Sequence, residues 1–97
     1  MNYRIIITTV ANESVAMHLA DKLVELKAAG CIEYLPVRSV YKWNGVIEHQ
    51  TEFQLIVKTA DINLTREVLR KYHPYKIPMI MEIPVEYNGK FAQWLGS

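Results

Sequence analysis

The sequence predicts an α+β fold on the ferredoxin-like, split βαβ plan. Its order is β-α-β-β-α-β with an extra C-terminal helix, in a single domain over residues 1–97. Three observations carry this reading. Asn44-Gly45 joins two long strand-like runs between Tyr34 and Thr59, and both turn residues tolerate the positive φ of a type I′ hairpin. Two stretches of helical apolar spacing are each bracketed by a capping residue and a stop signal. An N-terminal run, Tyr3 to Thr9, is β-branched and apolar on both faces, as a central, doubly covered strand requires.

The elements follow in order. After the first strand, Asn12 caps a helix whose apolar positions are Ala16, Leu19, Ala20, Leu23 and Leu26, with Lys27 in the last turn and Gly30 as the C′ residue. The hairpin arms then run roughly ten residues each, against about five or six in an ordinary strand. At ~3.3 Å per residue each arm exceeds ~30 Å, whereas a compact chain of this length has a radius of gyration near ~12–13 Å. Such a hairpin overhangs its own domain. It carries Val40, Tyr41, Trp43, Val46, Ile47 and Phe53, so another subunit is expected to cover it. Asp61 or Asn63 caps the second helix, with Leu64, Val68, Leu69 and Tyr72 on one side, and His73-Pro74 stops it. Ile77 to Val85 forms a fourth strand bounded by Pro78 and Pro84, which marks an edge position. Asn88-Gly89 turns the chain into a short helix, Lys90 to Leu95, presenting Phe91, Trp94 and Leu95. Both helices fall on one sheet face, which leaves the other open and apolar, a self-association surface.

Composition narrows the function classes. Hydrophobic residues make up 51% and charged residues 22%, a globular balance, and the formal net charge of +1 comes without a basic run. Nucleic acid and anionic membranes are therefore not expected partners. The apolar runs fall short of the ~20 residues of a spanning helix, and the N-terminus shows no signal-peptide core. A lone cysteine, Cys31, gives no intrachain disulfide and suits a reducing cytoplasm.

No string assembles catalytic machinery. Cys31 reads as a small buried hydrophobe with no neighbouring base. Glu48, Glu52, Glu82 and Glu86 sit at strand spacing, where carboxylates are solvated or cross-strand paired. The glycines never cluster into a phosphate loop. His18, His49, His73 and Cys31 are widely separated, with no paired metal-ligand spacing, so a metal cage within the monomer is not expected, although subunit interfaces can bring ligands together. His73-Pro74-Tyr75 admits two readings: a helix-stop turn stapled by a ring, or an imidazole at a helix C-terminus beside a groove. Tyr41 and Trp43 share a strand face and serve as interface anchors or as a stacking surface. Lys58 ends a central strand and either pairs with a carboxylate or holds an anion.

Taken together, Ala28-Ala29-Gly30-Cys31, Arg38-Ser39-Val40-Tyr41-Lys42-Trp43-Asn44-Gly45, Ile56-Val57-Lys58-Thr59, His73-Pro74-Tyr75 with Pro78, and Phe91-Ala92-Gln93-Trp94-Leu95 resemble, in this order, the CutA-type divalent-cation-tolerance family. The resemblance implies a homotrimer whose hairpins lie against neighbouring subunits, with Tyr41, Trp43, Val46 and Trp94 at the interface. It implies no enzymatic activity and no tightly bound cofactor. It also implies weak binding of Cu²⁺ or another divalent cation at intersubunit clefts, with His73 as metal ligand and Lys58, Tyr75, Lys76 and Trp43 lining the cleft. Three positions depart from the bacterial copper-binding pattern: Thr8 stands at its cysteine, Tyr72 at a histidine, and Met79 at a glutamate. Lys76 also replaces the usual acid after H-P-Y, which opens the alternative of a small anionic effector, as in the similar trimers of PII-type signalling proteins. A structural assembly module is the third reading.

Overall fold

The computed structural model describes residues 3–97. The chain forms β1 (Arg4–Val10), α1 (Glu13–Glu25), β2 (Cys31–Trp43), β3 (Val46–Thr59), α2 (Ile62–Tyr72), β4 (Ile80–Pro84) and α3 (Gly89–Leu95). The four strands make one antiparallel sheet in the order β2-β3-β1-β4, which is the ferredoxin-like arrangement the sequence predicts. β1 is indeed internal, and the Pro-bounded β4 lies at an edge, where a missing backbone donor costs least.

Residues facing each other across an antiparallel ladder share a sheet face. One face therefore carries Ile6, Thr8 and Val10 of β1 beside Val57, Leu55 and Phe53 of β3. Ala16, Leu19 and Leu23 of α1 and Val68 and Leu69 of α2 pack on it to form the core. The opposite face presents Ile5 and Ile7, Gln54, Ile56 and Lys58, and the β4 side chains Met81 and Ile83. Leu35, Met81 and Ile83 remain exposed there, as expected of an open face.

Local chemistry explains the element ends, with two adjustments to the expectations. Asn12 Oδ1 accepts from the Val15 amide, and Asp61 rather than Asn63 caps α2, accepting from the Leu64 amide. The end of α1 is a Schellman motif centred on Lys27, not on Gly30. Lys27 has φ of 59°, its amide bonds to the Val24 carbonyl, and the Ala28 amide bonds to the Leu23 carbonyl. Gly30 is needed for a different reason: a Cβ there would lie 2.6 Å from Leu95 Cδ1 and 3.1 Å from the Leu95 carbonyl oxygen. The glycine lets α3 close against the base of the sheet.

Asn44 (φ 51°) and Gly45 (φ 78°) form the hairpin turn between strands of 13 and 14 residues, longer than the ten per arm the sequence suggests. The β1 ladder ends at the Val10–Phe53 pair, while β2 and β3 continue pairing to Trp43–Val46. Among the described residues, Val37–Trp43 and Val46–Glu52 thus pair only with one another. This ribbon gives the subunit extents of 46 × 23 × 20 Å and a radius of gyration of 14.1 Å, above the ~12–13 Å of a compact chain. Along it Val40, Trp43, Val46 and Ile47 are about 60% exposed.

Candidate functional site

The segment that leaves α2 decides the site. His73 is the C-cap of α2, its amide bonded to the Leu69 carbonyl, and its extended backbone (ψ 126°) is what the following proline imposes. The ring turns inward and is buried. Nδ1 accepts the Tyr75 amide at 3.1 Å, and Nε2 lies 3.0 Å from Thr8 Oγ1 and 3.1 Å from the Thr9 carbonyl. The Thr8 hydroxyl donates to the Met79 carbonyl at 2.7 Å, so Thr8 Oγ1 accepts from His73. This network assigns a neutral, Nε2-protonated imidazole whose one free lone pair is already engaged. Burial lowers its pKa, which favours the same neutral form.

The chain then crosses to the open sheet face. Tyr75 packs edge-on against the His73 ring at 5.1 Å between centroids and donates its hydroxyl to Glu52 Oε2 at 2.7 Å. Glu52 is only 8% exposed although it stands on the overhanging ribbon. Burial, with the neighbouring Glu52, pushes the Tyr75 phenol well above its ordinary pKa, so it stays a donor. Tyr41, Trp43, Glu48, Gln50, Ile77 and Met79 complete a cavity of about 570 Å³ around this pair. Its strand residues alternate by two, 41 and 43 on β2 and 48, 50 and 52 on β3, hence they share the open face. Tyr41 donates to Gln50 Oε1 at 2.5 Å. The lining holds aromatic, amide and acidic groups and contains no Lys, Arg or His among the described residues.

The residues singled out from sequence do not all meet here. Tyr75 and Trp43 line the cavity, with His73 behind Tyr75; Lys76 is exposed beside it. Lys58 is elsewhere within the subunit. It lies six residues from Glu52 along β3, roughly 20 Å away, where its Nζ meets Glu33 Oε1 at 2.5 Å and Cys31 Sγ at 4.0 Å. The Glu33 hydrogen bond raises its pKa. Lys58 and Trp43 therefore occupy opposite ends of the hairpin. Cys31 is partly exposed at the sheet edge rather than buried. Trp94 packs against Phe91 (5.5 Å between centroids) and lines a separate cavity with Lys27, Gly30 and Asp61. Glu82 is held by a bidentate Arg66 pair at 2.7 and 2.6 Å, and His18 and His49 are exposed.

The donor set gives a direct test of the divalent cation implied by the resemblance. Among the described residues no three His, Cys, Asp or Glu side chains converge as a metal cage requires. Thr8, which stands where the resemblance implies a cysteine in the bacterial copper-binding pattern, sits against His73. A threonine hydroxyl locks the ring by hydrogen bonding, whereas a thiolate would offer a metal a soft donor. Within one subunit the residues present do not fit a tightly held metal.

Sequence reasoning missed the Tyr75–Glu52 pair and the role of Gln50. The available signal was the acidic-amide-acidic alternation at 48, 50 and 52, opposite Tyr41. What the alternation lacked was the partner, 23 positions further along the chain.

A ferredoxin-like subunit with an overlong hairpin and an acidic-aromatic cleft along its overhanging part, closed by a His-Pro-Tyr turn, defines a class of small α+β protein; no helix among the described residues is long and apolar enough to cross a bilayer. The family model for the CutA1 divalent ion tolerance protein matches residues 4–97, and the chain belongs to that family. It is 34% identical to the divalent-cation tolerance protein CutA of Thermus thermophilus, over 94% of this chain and 92% of that one. It is 35% identical to the Protein CutA homolog of Xenopus laevis over 92% of this chain, but spans only 62% of that relative's length. Among solved structures, CutA from Synechococcus elongatus superposes with a TM-score of 0.89 at 31% identity, covering 96% of this chain and 86% of that one. The Archaeoglobus fulgidus protein, described as a periplasmic divalent cation tolerance protein CutA, superposes with a TM-score of 0.86 at 33% identity, covering 96% and 94%.

Proposed function

We propose that this protein acts as a non-enzymatic, cytoplasmic homotrimer of the divalent-cation-tolerance type, meeting cations weakly at clefts between subunits. The observation that carries the assembly is the ribbon Val37–Trp43 and Val46–Glu52, which pairs with no other strand among the described residues while exposing Val40, Trp43, Val46 and Ile47. Apolar surface of this extent is stabilised by contact with another copy, and the open sheet face beside it offers the complementary area. Tyr41, Trp43, Val46 and Trp94 are the anchors of that interface.

Cation binding in this reading belongs to the cleft carboxylates, with Cu²⁺ or another divalent ion as ligand. Glu48 and Glu52 supply hard oxygen donors, and the amide and phenol groups add weak ones. His73 contributes by position, holding the Tyr75 amide so that the phenol reaches Glu52. An anionic effector near Lys58 and Lys76 is less favoured, since Lys58 is already neutralised by Glu33.

Native mass spectrometry with and without stoichiometric Cu²⁺ and Zn²⁺ tests both halves. The expected spectrum is a three-chain species that takes up metal with sub-stoichiometric occupancy at micromolar concentration. His73→Ala should reduce that uptake by loosening Tyr75. A monomer would overturn the assembly, and a trimer indifferent to both metals would overturn the cation reading.

A further inference from the structure

The carboxylates, aromatic rings and apolar side chains among the residues that line the hairpin cleft are together of a kind that attracts an elongated organic cation. We propose that the cleft binds a linear polycation of the aliphatic polyamine class: two or more ammonium groups joined by methylene segments. Binding of such a ligand presupposes the reading above that this cleft meets cations, but no particular metal and no particular number of subunits.

Spacing is the first argument. Glu48 and Glu52 point to one strand face four residues apart, which puts their Cα atoms roughly 13 Å from each other. A metal ion bonds oxygen at about 2.0–2.6 Å and meets one of these carboxylates at a time, whereas the span between them suits a longer ligand. Gln50 stands between them and its Oε1 is taken by the Tyr41 hydroxyl. Glu52 is also fixed in place, because Tyr75 donates to it. An extended polyamine reaches both carboxylates at once, one ammonium at each.

The walls supply the second argument. Trp43, Tyr41 and Tyr75 line the cavity with aromatic rings, whose faces attract ammonium groups the more strongly the less water surrounds them. Ile77 and Met79 line the same cavity and match methylene segments, the flexible thioether adapting to an irregular chain. The volume of about 570 Å³ is in the range of small-ligand sites. No cationic side chain is among the lining residues, and Lys42, His49 and Lys76, each next in sequence to a lining residue, are exposed.

Isothermal titration of the full chain with spermidine tests this, alongside Mg²⁺ at matched ionic strength and 1,4-butanediol as an uncharged control. Glu48→Gln removes one carboxylate from an exposed ribbon position; Glu86→Gln removes the same charge from an exposed site outside the cavity. The expected result is saturable spermidine binding, weakened about tenfold in Glu48→Gln, the scale of one charge-assisted contact, and unchanged in Glu86→Gln. Binding of Mg²⁺ as tight as that of spermidine, or equal losses in the two variants, would mean counterion attraction only and overturn the proposal. Cu²⁺ uptake without spermidine binding overturns it while leaving the cation cleft standing. Absence of both overturns the two together.

Discussion

The two halves of the β2–β3 ladder are built from similar residues and meet opposite fates. In the body, Leu55 and Val57 are fully buried under α1 and α2. In the ribbon, Val40 and Ile47 face the same side as Leu55 and Val57 yet are about 60% exposed, because β1 stops at Val10 and the helices do not reach past it. Strand propensity alone therefore shapes the ribbon, whereas burial stabilises the body. An isolated two-stranded ribbon is marginal in water. The body stands on its own core, and the ribbon's order depends on what covers it.

Substitutions separate the two regions. The largest effect is expected in the body: Leu69→Ala removes a fully buried side chain of α2 and should cost ~2–5 kcal/mol, lowering Tm by roughly 10 °C or more in thermal unfolding. Trp43→Asp should act on the other side of the comparison. It buries nothing in the subunit core, so far-UV circular dichroism should stay native, while self-association measured by sedimentation weakens by at least ~100-fold, as for an interface hot spot. A Trp43→Asp protein that assembles normally would remove the distinction between the regions.

Acidification probes the hinge between them. His73 has a folded-state pKa below its ordinary value, so the unfolded chain binds the proton more readily. The contribution of the neutral ring is fully present above about pH 6.5 and is lost as the pH falls from there through the lowered folded value. A second proton on the ring also removes the acceptor for the Tyr75 amide, freeing the phenol from Glu52. Stability in urea should therefore decline below about pH 6.5, and His73→Gln should flatten that slope. The smallest effect is a gain: Lys27 occupies the left-handed region at φ of 59°, and Lys27→Gly should stabilise the body by ~0.5–1 kcal/mol with no change in assembly.

The sequence was more informative about the ribbon and the element order than about the site. Asn44-Gly45 located the turn, because few dipeptides accept two positive φ values, and period-two alternation then specified which side chains share a face. The end of α1 was misread because a lysine holds the position where glycine is the usual signal, while Gly30 answers to Leu95, 65 residues away. The His73 turn was visible as a helix stop. Its inward ring and the reach of Tyr75 to Glu52 were not, since they depend on Thr8 and Glu52 arriving from other strands. Lys58 looked like a cleft residue, but the length of the same hairpin that makes the site holds it away from Trp43.

Hydrogen–deuterium exchange of the full chain, followed peptide by peptide across a dilution series, addresses the dependence of the ribbon on assembly most directly. Amides of Val37–Trp43 and Val46–Glu52 should be protected at concentrations where copies associate and lose that protection on dilution, while Leu55 and Val57 stay protected throughout. A ribbon whose protection is independent of concentration in a sedimenting monomer would contradict the account.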